Sequence, residues 1–303
     1  MSWQLRVMGA VVRPLLRRLT GRVTAPEVVR RHLDRAARLI FRTPEGAVFS
    51  KTSYCGLPAL WVSSGPVTSA GVLLYIHGGG YIAGTPHTHK RMVARLCRMS
   101  GARAFLPAYR LAPEHPIPAA LEDVRRAWQH LLGLGYAPEQ IVLGGDSAGG
   151  GLALALLADL CDAQMPPAGL FAWSPFTDQT FSGASMQENS TQDHFFAADR
   201  APELAAMILG ETAPDDPRAS PLFARFPKCP PVLLQASHSE ILRDDSTRME
   251  TRLRAFGADV RLEMWADAPH VWQMLDGWLP EARDAIGTTA RWISSLPHHP
   301  RES

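Results

Sequence analysis

Ile141-Val-Leu-Gly-Gly-Asp-Ser-Ala-Gly-Gly-Gly151 is the segment from which the rest of the chain can be interpreted. A short apolar run leads into a tight turn centred on Ser147, and a stretch with helical character begins near Ala148. The turn matches G-x-S-x-G, in which a serine stands between a buried strand and a helix. Gly145 and Gly149 flank the serine because a side chain at either position would collide with the turned backbone. The N-terminus of the helix favours negative charge that develops beside the serine.

A motif of five residues is weak alone, since a Gly-rich turn can contain an incidental serine. The residues around this motif strengthen its functional interpretation. An apolar strand precedes the motif, an Ala- and Leu-rich helical pattern covers 152–160, and partner residues occur elsewhere in the expected order. The serine is therefore the first candidate functional residue.

The composition is that of a globular protein with a sizeable core. The chain has 303 residues, of which 46% are hydrophobic, and the length suits one large α/β domain or such a domain with a small cap. The formal net charge is +2 and the isoelectric point is about 8.4. This excess of positive charge is too small to indicate a nucleic-acid partner.

The cysteines and the N-terminus bear on compartment and cofactors. The four cysteines form no C-x-x-C pair, so we expect neither a metal site nor a redox dithiol: Cys55, Cys97, Cys161 and Cys229. Free thiols are typical of a reducing compartment. No run is long enough to span a membrane, and Arg6 and Arg13 interrupt the N-terminal apolar run too early for a signal peptide. These observations predict a cytoplasmic protein with no cofactor.

Strand and helix patterns alternate along most of the chain. A hairpin at a sheet edge is predicted around Cys55-Gly56, with strands over 47–53 and 57–63. Further strands are predicted over 72–76, 102–107, 141–146, 168–173, 231–236 and 260–264. Helices are predicted over 89–99, 119–132, 152–160 and 272–296. Such alternation predicts a mostly parallel sheet with helices on both faces.

Two segments lie outside this α/β pattern, which covers 46–177 and 225–297. Residues 1–45 read as amphipathic helices, with apolar positions from Leu5 to Leu19 among arginines and a second helix starting near Thr24-Ala-Pro-Glu27. Residues 178–224 are polar and rich in Asp, Ser and Pro, with a short helix predicted over 200–209. We expect both segments to form a cap. A basic amphipathic helix can also lie on a membrane, but packing against its own domain is favoured.

A second Gly-rich turn, His77-Gly-Gly-Gly-Tyr81, follows the apolar run 72–76. Its letters also satisfy a dinucleotide fingerprint, which needs an acidic residue about 20 positions later. No Asp or Glu occurs between Glu45 and Glu114, so a nicotinamide or flavin site is not expected. Gly-Lys and S-x-x-K are also absent, which excludes a P-loop and the penicillin-binding pattern. The turn instead fits an oxyanion loop, whose N–H groups approach a substrate carbonyl oxygen.

A serine at neutral pH needs a base, and the base needs an acid that fixes its tautomer. With the order Ser, acid, His, the acid should follow strand 231–236, where the candidates are Glu240, Asp244 and Asp245. His270 is the histidine that follows the last strand. His238 precedes the acid, and His298 and His299 lie in the tail.

Three motifs in this order resemble the bacterial hormone-sensitive lipase family of α/β-hydrolase carboxylesterases: His77-Gly-Gly-Gly-Tyr81, Tyr109-Arg-Leu-Ala-Pro-Glu114 and Gly145-Asp-Ser-Ala-Gly-Gly150. The resemblance runs from about Val72 to His270. It implies an α/β-hydrolase fold with an eight-stranded sheet and a helical cap, and hydrolysis of short- to medium-chain acyl esters. It places oxyanion donors at Gly79, Gly80 and Ala148, with Gly78 the less certain glycine, and it suggests a homodimer through an edge strand.

One departure from the family concerns the acid. The family pattern D-P-L-x-D reads Glu240-Ile-Leu-Arg-Asp244 here, so the alignment puts a glutamate at the triad position. We favour Glu240 over Asp244, which matches a second acid that fixes the loop. The expected catalytic set is thus Ser147, Glu240 and His270.

Two aromatic residues, Tyr81 and Trp173, are candidates for the substrate pocket or for the core. Three rival functions remain open: an amidase or arylformamidase on the same scaffold, a non-catalytic protein that binds a small ligand, and a membrane-surface protein. The motifs cannot separate ester from amide hydrolysis, because acyl transfer to water is common to both.

Overall fold

Eight strands form one sheet in the order β1-β2-β4-β3-β5-β6-β7-β8. The computed structural model describes residues 2–8, 25–193 and 198–296. The strands are β1 (Ala47–Tyr54), β2 (Leu57–Ser64), β3 (Val72–Ile76), β4 (Arg103–Pro107), β5 (Ile141–Asp146), β6 (Gly169–Trp173), β7 (Val232–Ser237) and β8 (Val260–Trp265). Strand β2 pairs antiparallel with β1 and β4, and the remaining pairs are parallel. The predicted eight-stranded, mostly parallel sheet is confirmed.

The burial of each strand explains its sequence pattern. Strands β3, β5, β6 and β7 are fully buried, which is why they appear as continuous apolar runs. In the edge strand β1, by contrast, every residue except Tyr54 is exposed or half-buried. Its hairpin with β2 turns at Cys55 and Gly56, which both have positive φ, as a two-residue hairpin loop requires.

The helices cover both faces of the sheet. In chain order the nine α-helices of the described ranges are α1 (Trp3–Val7), α2 (Pro26–Leu39), α3 (Pro86–Ser100), α4 (Ala119–Gly133), α5 (Ala148–Asp162), α6 (Ser185–Glu188), α7 (Ala201–Leu209), α8 (Arg243–Ala255) and α9 (Pro280–Ser295). Helices α4, α5 and α8 pack on one face, and α3 and α9 pack on the other. Successive residues of β3 enter opposite layers because side chains alternate along a strand.

The closing helix differs from its prediction over 272–296. A short 3₁₀ turn covers Trp272–Leu275, and α9 begins only at Pro280. Proline lacks an N–H and its ring blocks the carbonyl four residues earlier, so a helix can begin at Pro280 but cannot run through it. The single continuous helix was a wrong prediction.

The N-terminal helices are described in part. Helix α1 buries Leu5, and α2 begins at Pro26 with Ala25 as its N-cap. Thr24, near the predicted start of the second helix, and the apolar positions from Val12 to Leu19 lie outside the described residues, as do His298 and His299. Within the described ranges, each helix is too short or too polar to cross a bilayer.

Candidate active site

The candidate residues converge because four neighbouring parallel strands end at one edge of the sheet. Ser147 follows β5, Ser174 follows β6, Glu240 follows β7 and His270 follows β8. Loops at the carboxyl ends of adjacent parallel strands lie side by side, and ligands of open α/β sheets bind there.

Ser147 occupies the strained turn that its motif predicts. Its backbone has φ 50° and ψ −122°, a conformation that L-residues rarely adopt and that the surrounding structure must hold in place. The Ser147 N–H donates to Trp173 O at 2.8 Å, which ties the turn to the end of β6. A Cβ at Gly145 would overlap the Gly149 carbonyl, and one at Gly149 would overlap the Ile76 carbonyl. Both glycines are therefore required by the close backbone approach.

Glu240 and His270 form a buried hydrogen-bonded pair. His270 Nδ1 lies 2.7 Å from Glu240 Oε2, and the two side chains are 7% and 1% exposed. The other oxygen, Oε1, accepts from Ser237 N–H at 2.8 Å and from Ser174 Oγ at 2.9 Å. The carboxylate is thus fixed by donors on two strand ends.

The pKa of His270 reflects this pairing. Burial alone would lower the pKa of the imidazole, but the hydrogen bond that His270 donates to Glu240 and the charge of that carboxylate outweigh burial and raise the pKa above 6.5. The charges of Asp193 and Asp146 act in the same direction. An anionic partner on Nδ1 also holds the proton there, which leaves Nε2 as the basic nitrogen.

The other two acidic candidates contact different groups. Asp244 accepts from the Ser185 N–H at 2.9 Å and from Arg243 Nε at 2.9 Å. Asp245 accepts from the N–H groups of Thr177 and Asp178, and burial raises its pKa to about 7. Both carboxylates tie the segment after β6 to α8. Of the three candidates, Glu240 is the one that the structure brings to His270.

Sequence reasoning missed the residues that hold the acid in position. Ser174 bridges two loops, because its hydroxyl donates to Glu240 and lies 3.4 Å from the Val271 N–H. Asn189 Nδ2 donates to the carbonyls of Glu240 and His238, and Asp193 Oδ2 accepts from the Ile241 N–H. Asn189 and Asp193 belong to 178–224, where the sequence has no periodic pattern from which contacts could be predicted.

Asp146 holds the predicted oxyanion loop against the turn at Ser147. The carboxylate accepts from Tyr75 Oη at 2.6 Å and from Gly78 N–H at 3.1 Å, and His89 Nε2 lies 3.3 Å away. The Gly78 N–H is therefore already occupied. Within the described ranges, no hydrogen bond uses the N–H of Gly79 or Gly80.

His77, the first residue of the loop, is a structural group. It stacks on Tyr109 with ring centroids 4.2 Å apart, and burial lowers its pKa to about 3. The Tyr109 hydroxyl donates to His77 O at 2.7 Å. The second and third motifs of the sequence are thus joined to the first by side-chain contacts.

The two aromatic candidates are both buried. The Trp173 indole lies in the layer beneath α9 and donates from Nε1 to Thr289 Oγ1 at 3.1 Å, so the structure places it in the core. Tyr81 packs edge-on against Phe176, and its hydroxyl lies against Gly151 in the first turns of α5. Tyr81 therefore packs against the N-terminal end of α5.

Comparison with known proteins gives the family. The family model described as alpha/beta hydrolase fold matches residues 73–274. The chain belongs to this family. Among the relatives of this α/β-hydrolase, an acetyl-hydrolase of Streptomyces hygroscopicus is 38% identical over 222 residues, 73% of this chain and 74% of that protein. An esterase of Acinetobacter venetianus is 28% identical over 296 residues, 97% of each chain.

Solved structures of esterases are similar over nearly the whole α/β-hydrolase chain. One esterase of the bacterial hormone-sensitive lipase family has a TM-score of 0.91 and 36% identity, covering 98% of this chain and 99% of that one. An esterase/lipase from an uncultured bacterium has a TM-score of 0.89 and 32% identity, with the same coverage. The resemblance to this family is confirmed, and the protein is a carboxylic ester hydrolase that acts on small substrates.

Proposed function

We propose that the protein hydrolyses short- to medium-chain acyl esters with Ser147 as nucleophile, His270 as general base and Glu240 as the supporting acid. The observation that carries this proposal is the 2.7 Å contact between His270 Nδ1 and Glu240 Oε2 at the sheet edge where Ser147 turns. Nucleophile, acid and base in this chain order are the constellation of serine hydrolases built on this fold.

Acylation begins when His270 Nε2 takes the proton from Ser147 Oγ as the oxygen attacks the ester carbonyl carbon. The resulting imidazolium is stabilised by Glu240, whose second oxygen stays bound by Ser237 and Ser174. Collapse of the tetrahedral intermediate breaks the bond to the alkoxy group, which leaves as the alcohol with the proton from His270. The acyl group remains on Ser147.

The negative charge on the tetrahedral oxygen is stabilised by the N–H groups of Gly79, Gly80 and Ala148. Ala148 is the first residue of α5, so its N–H lacks an intrahelical acceptor. A donor fixed in this way contributes roughly 3 kcal/mol of transition-state stabilisation in other enzymes. Gly78 is excluded from this role because its N–H is bound to Asp146.

Deacylation repeats the same steps with water in place of the alcohol. His270 takes a proton from water, hydroxide adds to the acyl carbon, and the acid product leaves as Ser147 recovers its proton. The sequence consumes one water per ester and needs no cofactor.

We also propose that residues 1–45 and 178–224 form a cap over this site. Arg30 of α2 donates from Nε to Ile82 O at 2.7 Å, just beyond the oxyanion glycines. Leu204 of α7 would lie 3.9 Å from a Cβ placed on Gly80. Ile117 N–H donates to Ile208 O at 2.9 Å, which fixes α7 to the loop before α4. These contacts beside the glycines of the loop after β3 support the proposed position of the cap.

The experiment is hydrolysis of p-nitrophenyl esters from acetyl to palmitoyl by the unchanged protein and by Ser147→Ala. We expect a maximum at short chains, in keeping with relatives named acetyl-hydrolase and esterase, and a loss of at least about 10⁴-fold in kcat for Ser147→Ala. Equal turnover of matched anilides would favour the amidase alternative. Absence of turnover on every ester would favour a ligand-binding protein.

The assembly state of the protein is a further proposal. Strand β8 ends one side of the sheet, and we propose that a homodimer forms through such an edge strand. Light scattering after size-exclusion chromatography tests this proposal, with a monomer mass as the contradicting result.

We also propose a cytoplasmic location, because the four cysteines are all free thiols. Cell fractionation with a periplasmic marker tests the location, and recovery with that marker would contradict it.

A further inference from the structure

Positive charge is concentrated in the first 44 residues of the chain. This segment contains ten arginines and two acidic residues, Glu27 and Asp34, whereas the whole chain has a formal net charge of only +2. The remainder of the protein is therefore net negative. Charge asymmetry of this size within one chain points to a charged partner for the basic segment.

Helix α2 presents part of this charge on one side. Arg31, Arg35 and Arg38 recur at spacings of four and three residues and are all exposed. Residues at such spacings are neighbours on one helix face. By contrast, Arg30 faces inward, where its guanidinium binds Ile82 O, Ala112 O and Glu114. Contacts with the α/β domain therefore fix the orientation of α2. They keep Arg31, Arg35 and Arg38, here called the arginine stripe, toward solvent.

Large apolar side chains are exposed next to the stripe. Leu39 at the end of α2 is 84% exposed, Trp3 on α1 is 66% exposed and Trp278 is 48% exposed, and Val7 and Ile40 are similarly exposed. Soluble proteins rarely cluster such side chains on their surface unless the patch has a partner.

These residues belong to one surface. Trp278 Nε1 donates to Ile40 O at 2.8 Å, and the Arg42 guanidinium lies over the Trp278 ring at 4.2 Å from its centroid. Helix α1 belongs to the same surface, because the backbone N–H and the hydroxyl of Ser2 both donate to Glu281, which is close to Trp278 in sequence. Gln4 and Trp278 line the same shallow depression. Helix α1, the C-terminal half of α2 and the loop around Trp278 are here called the basic-aromatic face.

We propose that the basic-aromatic face binds the surface of an anionic phospholipid bilayer. Arginines attract the phosphate-bearing headgroups, and tryptophan and leucine side chains enter the headgroup boundary, where an indole can keep its N–H in a polar layer. Arginine beside exposed tryptophan distinguishes this surface from a purely electrostatic site for a soluble polyanion. Binding would bring the hydrolase to a phase in which acyl esters accumulate.

The test is co-sedimentation of the full chain with two kinds of vesicle. One contains phosphatidylcholine alone, and the other contains phosphatidylcholine with about 30–40% phosphatidylglycerol, which gives the bilayer a negative surface potential. We expect binding to the anionic vesicles, at least about tenfold weaker binding to the neutral ones, and loss of binding near 1 M salt, where the screening length falls to about 3 Å. No binding to anionic vesicles, or equal binding to both, would overturn the proposal.

Variants separate the contributions of charge and apolar surface. Arg35→Glu with Arg38→Glu, and separately Trp3→Ser with Leu39→Ser, should each weaken vesicle binding about tenfold, and an unchanged thermal unfolding transition of each variant shows that the fold is retained. The matched control is a single variant that combines Arg225→Glu, Lys228→Glu and Phe223→Ser. It makes the same kinds of change at exposed residues elsewhere on the protein. If the control loses vesicle binding to the same extent, binding does not depend on the basic-aromatic face and the proposal is contradicted.

Two other outcomes would also overturn the proposal. If heparin binds the protein and vesicles do not, the partner is a soluble polyanion. If Trp3→Ser with Leu39→Ser changes the mass measured by light scattering and leaves vesicle binding intact, the apolar patch is covered by a second copy of the chain.

Discussion

Ser174 Oγ donates a 2.9 Å hydrogen bond to Glu240 Oε1, the oxygen that does not contact His270. Ser174 is fully buried and sits at φ 47°, with its own N–H bound to Gln235 O at 2.7 Å. The turn at the end of β6 therefore aims a hydroxyl at the carboxylate that supports the proposed base.

Replacing Ser174 with Ala should lower kcat roughly tenfold, because a hydrogen bond to an ionised group contributes about 1.5–3 kcal/mol. The carboxylate of Glu240 loses a donor and holds the His270 proton more tightly, so the acidic limb of the kcat/KM profile should move to higher pH. The profile from pH 5 to 9 measures both effects.

Ser246→Ala is the matched control for this change. Ser246 is also a fully buried serine, and its hydroxyl has no hydrogen-bond partner within the described part of the chain. Its removal should leave the acidic limb in place. An unmoved limb in Ser174→Ala would show that the hydroxyl serves packing alone.

Glu240→Gln should shift the acidic limb in the opposite direction. The hydrogen bond and charge of Glu240 are what raise the pKa of His270 against burial, so a neutral amide should lower that pKa. The limb moves to lower pH, while kcat/KM falls by about 10⁴-fold because the tautomer is no longer fixed.

Asp244→Asn separates the two acidic candidates. Its carboxylate contacts Ser185 and Arg243, so we expect kcat/KM within about threefold of the unchanged protein and a modest loss of stability. A large loss of activity in Asp244→Asn, together with near-normal activity in Glu240→Gln, would assign the acid role to Asp244.

Adjacent glycines of the oxyanion loop should respond differently to alanine. A Cβ on Gly78 would overlap the Asp146 carboxylate, so Gly78→Ala should displace the clamp and lower Tm by several degrees. A Cβ on Gly80 meets nothing closer than 3.9 Å, although its φ is 61°. Gly80→Ala should therefore cost only about 1–2 kcal/mol of stability and act mainly on kcat. Thermal unfolding and kinetics of the two variants provide the comparison.

Asp245 gives a pH dependence of stability with a definite sign. Burial raises its pKa to about 7 in the folded chain, above the ordinary value of 3.8, so between these values the folded state binds more protons than the unfolded state. Its contribution to stability is present at acidic pH and declines as the pH rises toward 7. The change in Tm that Asp245→Asn causes should therefore be more positive at pH 8 than at pH 5. An equal change at both pH values would mean that the carboxyl does not titrate in this range.

The sheet could be predicted from sequence because each strand carries its own local signal. The buried runs of β3 and β5 are continuous, and the Cys55-Gly56 turn marks the hairpin. The break between the 3₁₀ turn and α9 was not predicted, although Pro280 indicates it. The helical spacing of apolar residues continues on both sides of this proline. Ser174 has no distinguishing local pattern. Its role depends on the proximity of β6, β7 and the loop after β8, which only the tertiary fold supplies.

Arg30 links the N-terminal helix to the oxyanion loop. Its guanidinium binds Ile82 O at 2.7 Å, Ala112 O at 2.9 Å and both oxygens of Glu114 at 2.7 and 2.8 Å. The hydrogen bonds from the Arg30 guanidinium lower the pKa of Glu114 to about 2, so the pair stays ionised across the working pH range.

Arg30→Ala should therefore raise KM for butyryl esters roughly tenfold and lower kcat less, because α2 loses its anchor beside Ile82 and the acyl group is held less well. Arg30→Lys should recover little of this loss, since one ammonium cannot reproduce the planar fork that serves four acceptors. Arg31→Ala, on the exposed face of the same helix, is the control for loss of an arginine. If Arg30→Lys restores KM fully, charge alone is sufficient and the positioning role of the guanidinium is refuted.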